Sequence, residues 1–206
     1  MRVFQVINSV FTSNSYILRE ENELKIYLID IGDVDPVLDY LTDISMAKVE
    51  GVFFTHIHYD HIYGICRLLE LYPECLVYTS SFGKEALASD RKNFSRYHGD
   101  PIVLNSDNIK ILRNGDRVKL FQDTMIEIFE TPGHDKSCLT YKIGNNLFTG
   151  DSYIPGVKVI TSFPNSNKED AELSKQKILS ISQSLNLFPG HGNSYICLLY
   201  TSDAAD

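Results

Sequence analysis

Five of the six histidines, His56, His58, His61, His134 and His191, occur in loops that directly follow short apolar runs that read as strands, and Asp60 and Asp151 occupy the same kind of position. Imidazole and carboxylate together suit Zn(II) and related first-row ions, whereas Ca(II) and Mg(II) favour oxygen donors alone. In His56-x-His58-x-Asp60-His61 an extended start puts His56 and His58 on one face, where they can chelate a common ion. The turn into a following helix then swings Asp60 and His61 toward a second position. A catalytic tetrahedral ion takes about three protein ligands and one water. These seven side chains therefore exceed the needs of one ion and suit two, bridged by a shared carboxylate and a shared solvent oxygen. The expected cofactor is a pair of divalent metal ions, Zn(II) first, with iron and manganese as the alternatives.

For residues as far apart as His56 and His191 to meet, the loops that carry them must converge on one edge of a sheet. The patterning supplies such loops. Strands are expected at 3–7, 16–18 and 25–29 as an antiparallel meander, then a helix over 36–44 and a buried strand at 49–54. The polar stretch 55–61 leads into a helix over 62–71 that stops before Pro73. A strand at 77–79, helical stretches within 81–97 and strands at 109–112, 118–120 and 125–130 follow, and a loop at 131–135. A hairpin pairs 139–143 with 147–149, 153–167 reads as an extended loop, and 168–185 as a helix with Ile178, Leu179, Ile181 and Leu185 inward. A short strand at Leu187 and Phe188 ends in Pro-Gly-His-Gly. No linker or repeat interrupts the run, so one domain over 1–196 is expected.

Thr-His-x-His-x-Asp-His at 55–61, Thr-Pro-Gly-His at 131–134, Thr-Gly-Asp at 149–151 and Pro-Gly-His-Gly at 189–192 resemble the metallo-β-lactamase fold hydrolases, in their glyoxalase II-like branch. Leu-Ile-Asp-Ile-Gly at 28–32 resembles that family's early strand-turn motif, and the motifs run in family order over 28–192. The resemblance implies an α/β (α+β) fold, a four-layer αββα sandwich with the metals at one edge of two sheets. It implies that His56, His58 and His134 hold one ion, Asp60, His61 and His191 the other, and that Asp151 bridges them. Asp30 would support the loop by accepting an imidazole N–H. The implied activity is a dinuclear hydrolase whose metal-bridging hydroxide attacks a small ester, thioester or lactone, with Asp60 as a further proton acceptor. The segment Ser152-Tyr-Ile-Pro-Gly-Val-Lys158 departs from a typical glyoxalase II, and the helical region that such an enzyme uses for glutathione has no room, which weighs against the glutathione thioester. An iron-dependent oxidoreductase of the persulfide dioxygenase kind, expected to use a single iron, is the main alternative. An RNA-processing nuclease of the same fold and a non-catalytic metal-stabilised module are weaker ones.

Composition narrows the partners. The chain has 206 residues, with 19 Lys plus Arg against 27 Asp plus Glu, a formal charge of −8, 43% apolar and 22% charged residues. That sign disfavours nucleic acid and anionic membranes and leaves a small-molecule substrate as the expected partner. No apolar run approaches the roughly 18 residues that span a bilayer, and the start is interrupted by Gln5, Asn8 and Ser9, so a cytoplasmic location is expected. Cys66, Cys75, Cys138 and Cys197 are too sparse for a disulfide scaffold and read as reduced and structural, Cys138 as core. His98 reads as structural or exposed, the 12 Tyr and 11 Phe as mostly core, and Lys84, Arg91, Lys92 and Arg96 as a solvated helical face. Tyr153 and Lys158 are as consistent with an ordinary loop as with the wall of a substrate pocket. The last ten residues, 197–206, match the translated end of a common transposase-based sequencing adapter and are expected to be a non-native tail; a short natural strand over 195–200 is the alternative.

Overall fold

The structure, a computed structural model, describes residues 1–42, 44 and 46–196. The tail expectation and Cys197 lie outside the described residues. Alternation along the strands sorts the chain into layers. In β1 (Arg2–Ile7), β2 (Asn14–Arg19), β3 (Lys25–Ile29), β4 (Lys48–Phe53), β5 (Leu76–Thr79) and β6 (Ile109–Ile111), neighbouring residues face opposite ways. Ile17, Ile26, Leu28, Val52 and Val77 pack outward against helices, while Tyr16, Leu18, Tyr27, Ile29, Phe53 and Tyr78 pack inward against a second sheet. That sheet is built from β7 (Arg117–Lys119), β8 (Met125–Glu130), β9 (Leu139–Ile143), β10 (Asn146–Gly150), β11 (Asn186–Pro189) and β12 (Tyr195–Ile196).

Helices α1 (Asp35–Thr42), α2 (Tyr59–Ile62), α3 (Ile65–Leu71) and α4 (Ser81–Leu87) cover the first sheet through Val37, Leu41, Ile62, Ile65, Leu68, Ala86 and Leu87. Helix α5 (Lys168–Ile181) covers the second through Ile178, which packs on Leu147, Leu185 and Leu187. The fold is therefore the four-layer αββα sandwich. Asn167 caps α5, its Oδ1 accepting from the N–H groups of Glu169 and Asp170. Among the described residues no helix is long and apolar enough to cross a membrane.

Strand direction places the loops. Strands β3, β4, β5 and β6 run parallel to one another. In the other sheet β8 and β10 are each antiparallel to β9, so they run the same way as each other, and β11 is parallel to β10. The loops leaving β3, β4, β8, β10 and β11 lie at one rim, and hydrogen bonds join the two sheets there. Tyr141 donates its hydroxyl to the Phe54 carbonyl at 2.6 Å, Leu139 N–H to the Thr55 carbonyl at 2.7 Å, and Tyr16 hydroxyl to the Pro189 carbonyl at 2.6 Å.

Two expectations need correction. The helix expected over 62–71 is two helices, α2 and α3. Gly64 interrupts them because its N–H donates to the Ile31 carbonyl and any Cβ there would overlap the Gly32 carbonyl. The helical stretches expected within 81–97 are α4 and a 3-10 turn at Ser95–His98, in agreement. Helix α5 stops at Ile181, four residues short of the expected end; Ser184 turns with φ 61°, so Leu185 reaches the core from a loop and Leu179 is exposed. Replacing Tyr141 by Phe leaves the Phe54 carbonyl unpaired in the interior. It is expected to cost about 1–2 kcal/mol in urea unfolding, and an unchanged midpoint would show that the cross-sheet bond contributes nothing.

Candidate metal centre

All seven sequence-predicted side chains meet at this rim. His56, His58 and His134 place one ligand atom each within 4.8 Å of one another, and so do Asp60, His61 and His191. A third group, His56, His61 and Asp151, joins the two. His134 Nε2 faces His58 Nδ1 at 3.1 Å. Asp151 Oδ2 lies 3.6 Å from His134 Nε2 and 3.4 Å from His191 Nε2, and its Oδ1 lies 3.7 Å from His61 Nε2. Asp60 Oδ2 is 3.4 Å from both His61 Nε2 and His191 Nε2. A Cβ at Gly190 would overlap Asp151 Oδ1 and press on His61, so only glycine lets the backbone pass here.

Each imidazole is aimed by its other ring nitrogen. His61 Nδ1 is 2.9 Å from Asp30 Oδ2, and Asp30 also accepts from the N–H and hydroxyl of Thr55 at 2.7 Å each. His56 Nδ1 contacts Thr55 Oγ1 at 3.1 Å, His134 Nδ1 the Ile160 carbonyl at 2.9 Å, and His191 Nδ1 the Phe11 carbonyl at 3.1 Å. His58 presents Nδ1 to the cluster, and its Nε2 faces Asp135 Oδ2 at 3.5 Å. Asp135 is held by Ser137, which donates its N–H at 2.8 Å and its hydroxyl at 2.5 Å to Oδ1. Asp30 sits where the resemblance puts it. Asp135, directly after His134 and ahead of Ser137, went unread in the sequence, and the Ile160 and Phe11 carbonyls leave no side-chain signal at all.

The electrostatics suit a cation. Burial lowers the His56 pKa well below its ordinary value, and the neighbouring histidines, His61 first, push it further down. Burial raises Asp151, but the His191 hydrogen bond and the nearby His61, His191 and His134 hold it below the usual carboxylate range. For Asp60 burial again acts upward and is outweighed chiefly by His61, leaving it ionised at neutral pH. The ring nitrogens His56 Nε2, His58 Nε2 and His61 Nε2 and the oxygens Asp135 Oδ2 and Asp151 Oδ1 are buried without a hydrogen-bond partner among the described residues, the 3.5 Å contact of His58 with Asp135 being an ion-pair approach only. Unpaired buried donors and acceptors of this density are costly unless an ion satisfies them. The donor set thus fits two divalent cations, the first on His56, His58 and His134, the second on Asp60, His61 and His191, with Asp151 between.

The Metallo-beta-lactamase superfamily model matches residues 8–191. The chain belongs to the metallo-beta-lactamase superfamily. It is 25% identical over 202 residues to a hydroxyacylglutathione hydrolase of Tolumonas auensis, covering 97% of this chain and 69% of that protein. It is 29% identical over 161 residues to a hydroxyacylglutathione hydrolase of Nostoc punctiforme, covering 74% of this chain and 55% of that protein. Among solved structures, the BLEG-1 B3 metallo-beta-lactamase superposes with a TM-score of 0.83 at 21% identity, covering 95% and 94% of the two chains. TTHA1623 in a di-iron-bound form gives 0.77 at 22%, covering 94% of each chain. ETHE1 from Myxococcus xanthus gives 0.75 at 24%, covering 94% of this chain and 76% of that one. At these identities the likeness of the structures is one of fold. The superfamily is one of metallo-hydrolases, and the two sequence relatives are hydrolases.

Of the residues left between two readings, Lys158 lines a cavity beside the centre, with His134, Asp151 and His191. Tyr153 lines a different cavity and packs partly into the core around Ile178. His98, read as structural or exposed, is exposed and also stands at the mouth of the site, stacked on Tyr59 at 4.5 Å. Cys138 is buried core, as expected.

Two outcomes are expected. Asp135→Asn keeps an oxygen for Ser137 but removes the charge facing His58, so metal affinity should fall about 10- to 100-fold in chelator competition; unchanged affinity would mean that Asp135 only shapes its loop. In chelator-treated protein, burial lowers His61 but Asp60, then Asp30 and Asp151, push it up to about 9; burial lowers His191 but Asp151 and Asp60 push it up to about 10. Both lie above the unfolded value of 6.5, so their stabilisation is complete below pH 6.5 and is lost as pH rises through 9 to 10. The Tm of that protein should therefore fall between pH 7 and pH 10, and a flat profile would contradict the pairing.

Proposed function

We propose that this chain is a dinuclear hydrolase of small esters, thioesters or lactones, carrying two Zn(II) ions. The observation that supports it is the completeness of both ligand groups together with Asp151 between them, opening on to cavities that admit a small molecule. Two cations held there would supply a water of lowered pKa and a Lewis acid for the carbonyl oxygen. Asp60 lines the cavity on the second group, stays ionised, and is placed to accept the proton released as water adds to the carbonyl. The proton held on this carboxyl can then pass to the departing alkoxide or thiolate. The hydrogen-bond partners of His56, His61, His134 and His191, and Asp135 facing His58, keep the ring nitrogens in register through the cycle, so little reorganisation is left for the reaction itself.

The hydroxyacylglutathione hydrolases among the relatives favour thioesters within that range. A persulfide dioxygenase using one iron is the competing reading, and the intact second group, Asp60, His61 and His191, supports the hydrolase over it. The net charge of −8 supports a small-molecule substrate over nucleic acid.

Metal analysis of protein purified without added metal should give two ions per chain. Asp151→Ala should lose at least one of them and about 100-fold or more of thioesterase activity, an effect no smaller than that of removing an aiming partner. Full activity with both ions retained would reject the assignment, and one iron per chain with oxygen consumption would favour the dioxygenase.

A further inference from the structure

The cluster opens on a cavity of about 410 Å³, and its wall on the His58 side is aromatic. Phe94 stands there with φ 65° and ψ 0°, a left-handed conformation that is a genuine outlier for a bulky side chain. The surrounding loop over-determines it. Asn93, fully buried, donates Nδ2 to the Ala86 carbonyl at 3.1 Å and the Ile102 carbonyl at 3.0 Å, and accepts from Ser95 N–H at 3.0 Å. Ser95, also buried, accepts from Ile102 N–H at 2.8 Å. Clamped on both sides, Phe94 has its ring edge-on to His58, centroids 5.0 Å apart. Phe163 closes the angle: its centroid is 5.5 Å from Phe94, 5.0 Å from His58 and 5.6 Å from His134.

The two rings, inclined at 37° with centroids 5.5 Å apart, pack against each other and present one apolar wall, against which a further ring can lie edge-on or offset, the arrangements aromatic groups prefer. Phe11 and Ile160, both more than half exposed, extend the apolar surface to the mouth. No lysine or arginine is among the described residues lining this cavity, whereas Asp60 and Asp151 are. A charged or hydroxylated acyl group laid against Phe94 and Phe163 would lose hydration without a partner there.

We propose that Phe94 and Phe163 form the acyl-recognition wall, and that the substrate class is the ester or thioester of a ring-bearing apolar carboxylic acid. This rests on the hydrolase reading above. In such a substrate the ring would lie against this wall beside His58, with its carbonyl carbon at the metal cluster and the leaving group toward the adjoining cavity lined by Pro155, Val157 and Lys158.

The test compares phenylacetyl and acetyl thioesters of one common thiol on Zn(II)-loaded protein, alongside calorimetric binding of phenylacetate and acetate. Wild type should favour the phenylacetyl substrate at least about tenfold in kcat/KM, the scale on which an apolar pocket discriminates. Phe94→Gly, which accepts the positive φ without strain and so protects the fold, should collapse that ratio about tenfold, and Phe163→Ala should reduce it. Hydrolysis with a ratio near one, or a ratio that Phe94→Gly leaves unchanged, overturns the proposal and leaves the hydrolase standing. A preference for phenylacetate binding that Phe94→Gly removes, with no thioester or ester hydrolysed, supports the ring-binding wall and overturns the hydrolase reading.

Discussion

Five imidazoles and two carboxylates share a space in which facing nitrogens come within 3.1 Å of each other, and this crowding is the constraint to which the rest of the molecule answers. Neutral imidazoles so arranged point lone pairs at one another, and protonated ones repel. Cations make the arrangement favourable only if each ring is held in the correct tautomer and direction. The protein meets that requirement five times with five different groups: a hydroxyl from Thr55, carboxylates from Asp30 and Asp135, and carbonyls from Phe11 and Ile160.

The sandwich is what makes such an assembly affordable in geometric terms. Its strands are apolar on both faces where they approach the rim. Phe53 stacks on Tyr78, and Tyr16 packs edge-on against Phe148 and Phe188, so the loops leave from a rigid base. Because the loop-bearing strands within each sheet point the same way, their ends present five short segments together, and the cross-sheet bonds at Phe54, Thr55 and Pro189 fix their separation. Asp30 itself takes a positive φ of 55° at the end of β3, a conformation that aspartate tolerates better than most residues, and this turns its carboxylate back beneath Thr55 and His61.

Much of this was legible in the residues alone. Every expected ligand sits in a loop that follows an apolar run, which placed the seven-residue cluster at one sheet edge, while the layers followed from the family resemblance of the motifs. What escaped depended on contacts distant in sequence. Nothing in the run 62–71 says that Gly64 must lie against the Gly32 carbonyl, and the apolar spacing beyond Ile181 is continued by a turn that brings in Leu185 at the same depth. Asp135 looked like one more polar loop residue, because its role depends on which way His58 faces. Phe94 read as core, and only the Asn93 and Ser95 clamp shows why it stands in the cavity.

The carbonyls that aim His134 and His191 belong to the segments that also bring Ile160, Phe163 and Phe11 to the cavity mouth. Loop exchange, the usual way to redirect an enzyme toward new compounds, is therefore not free in this scaffold. A graft that swaps either segment for its side chains also replaces a fixed point of the cluster, so new specificities should arise more readily by point changes in these segments than by wholesale transplantation.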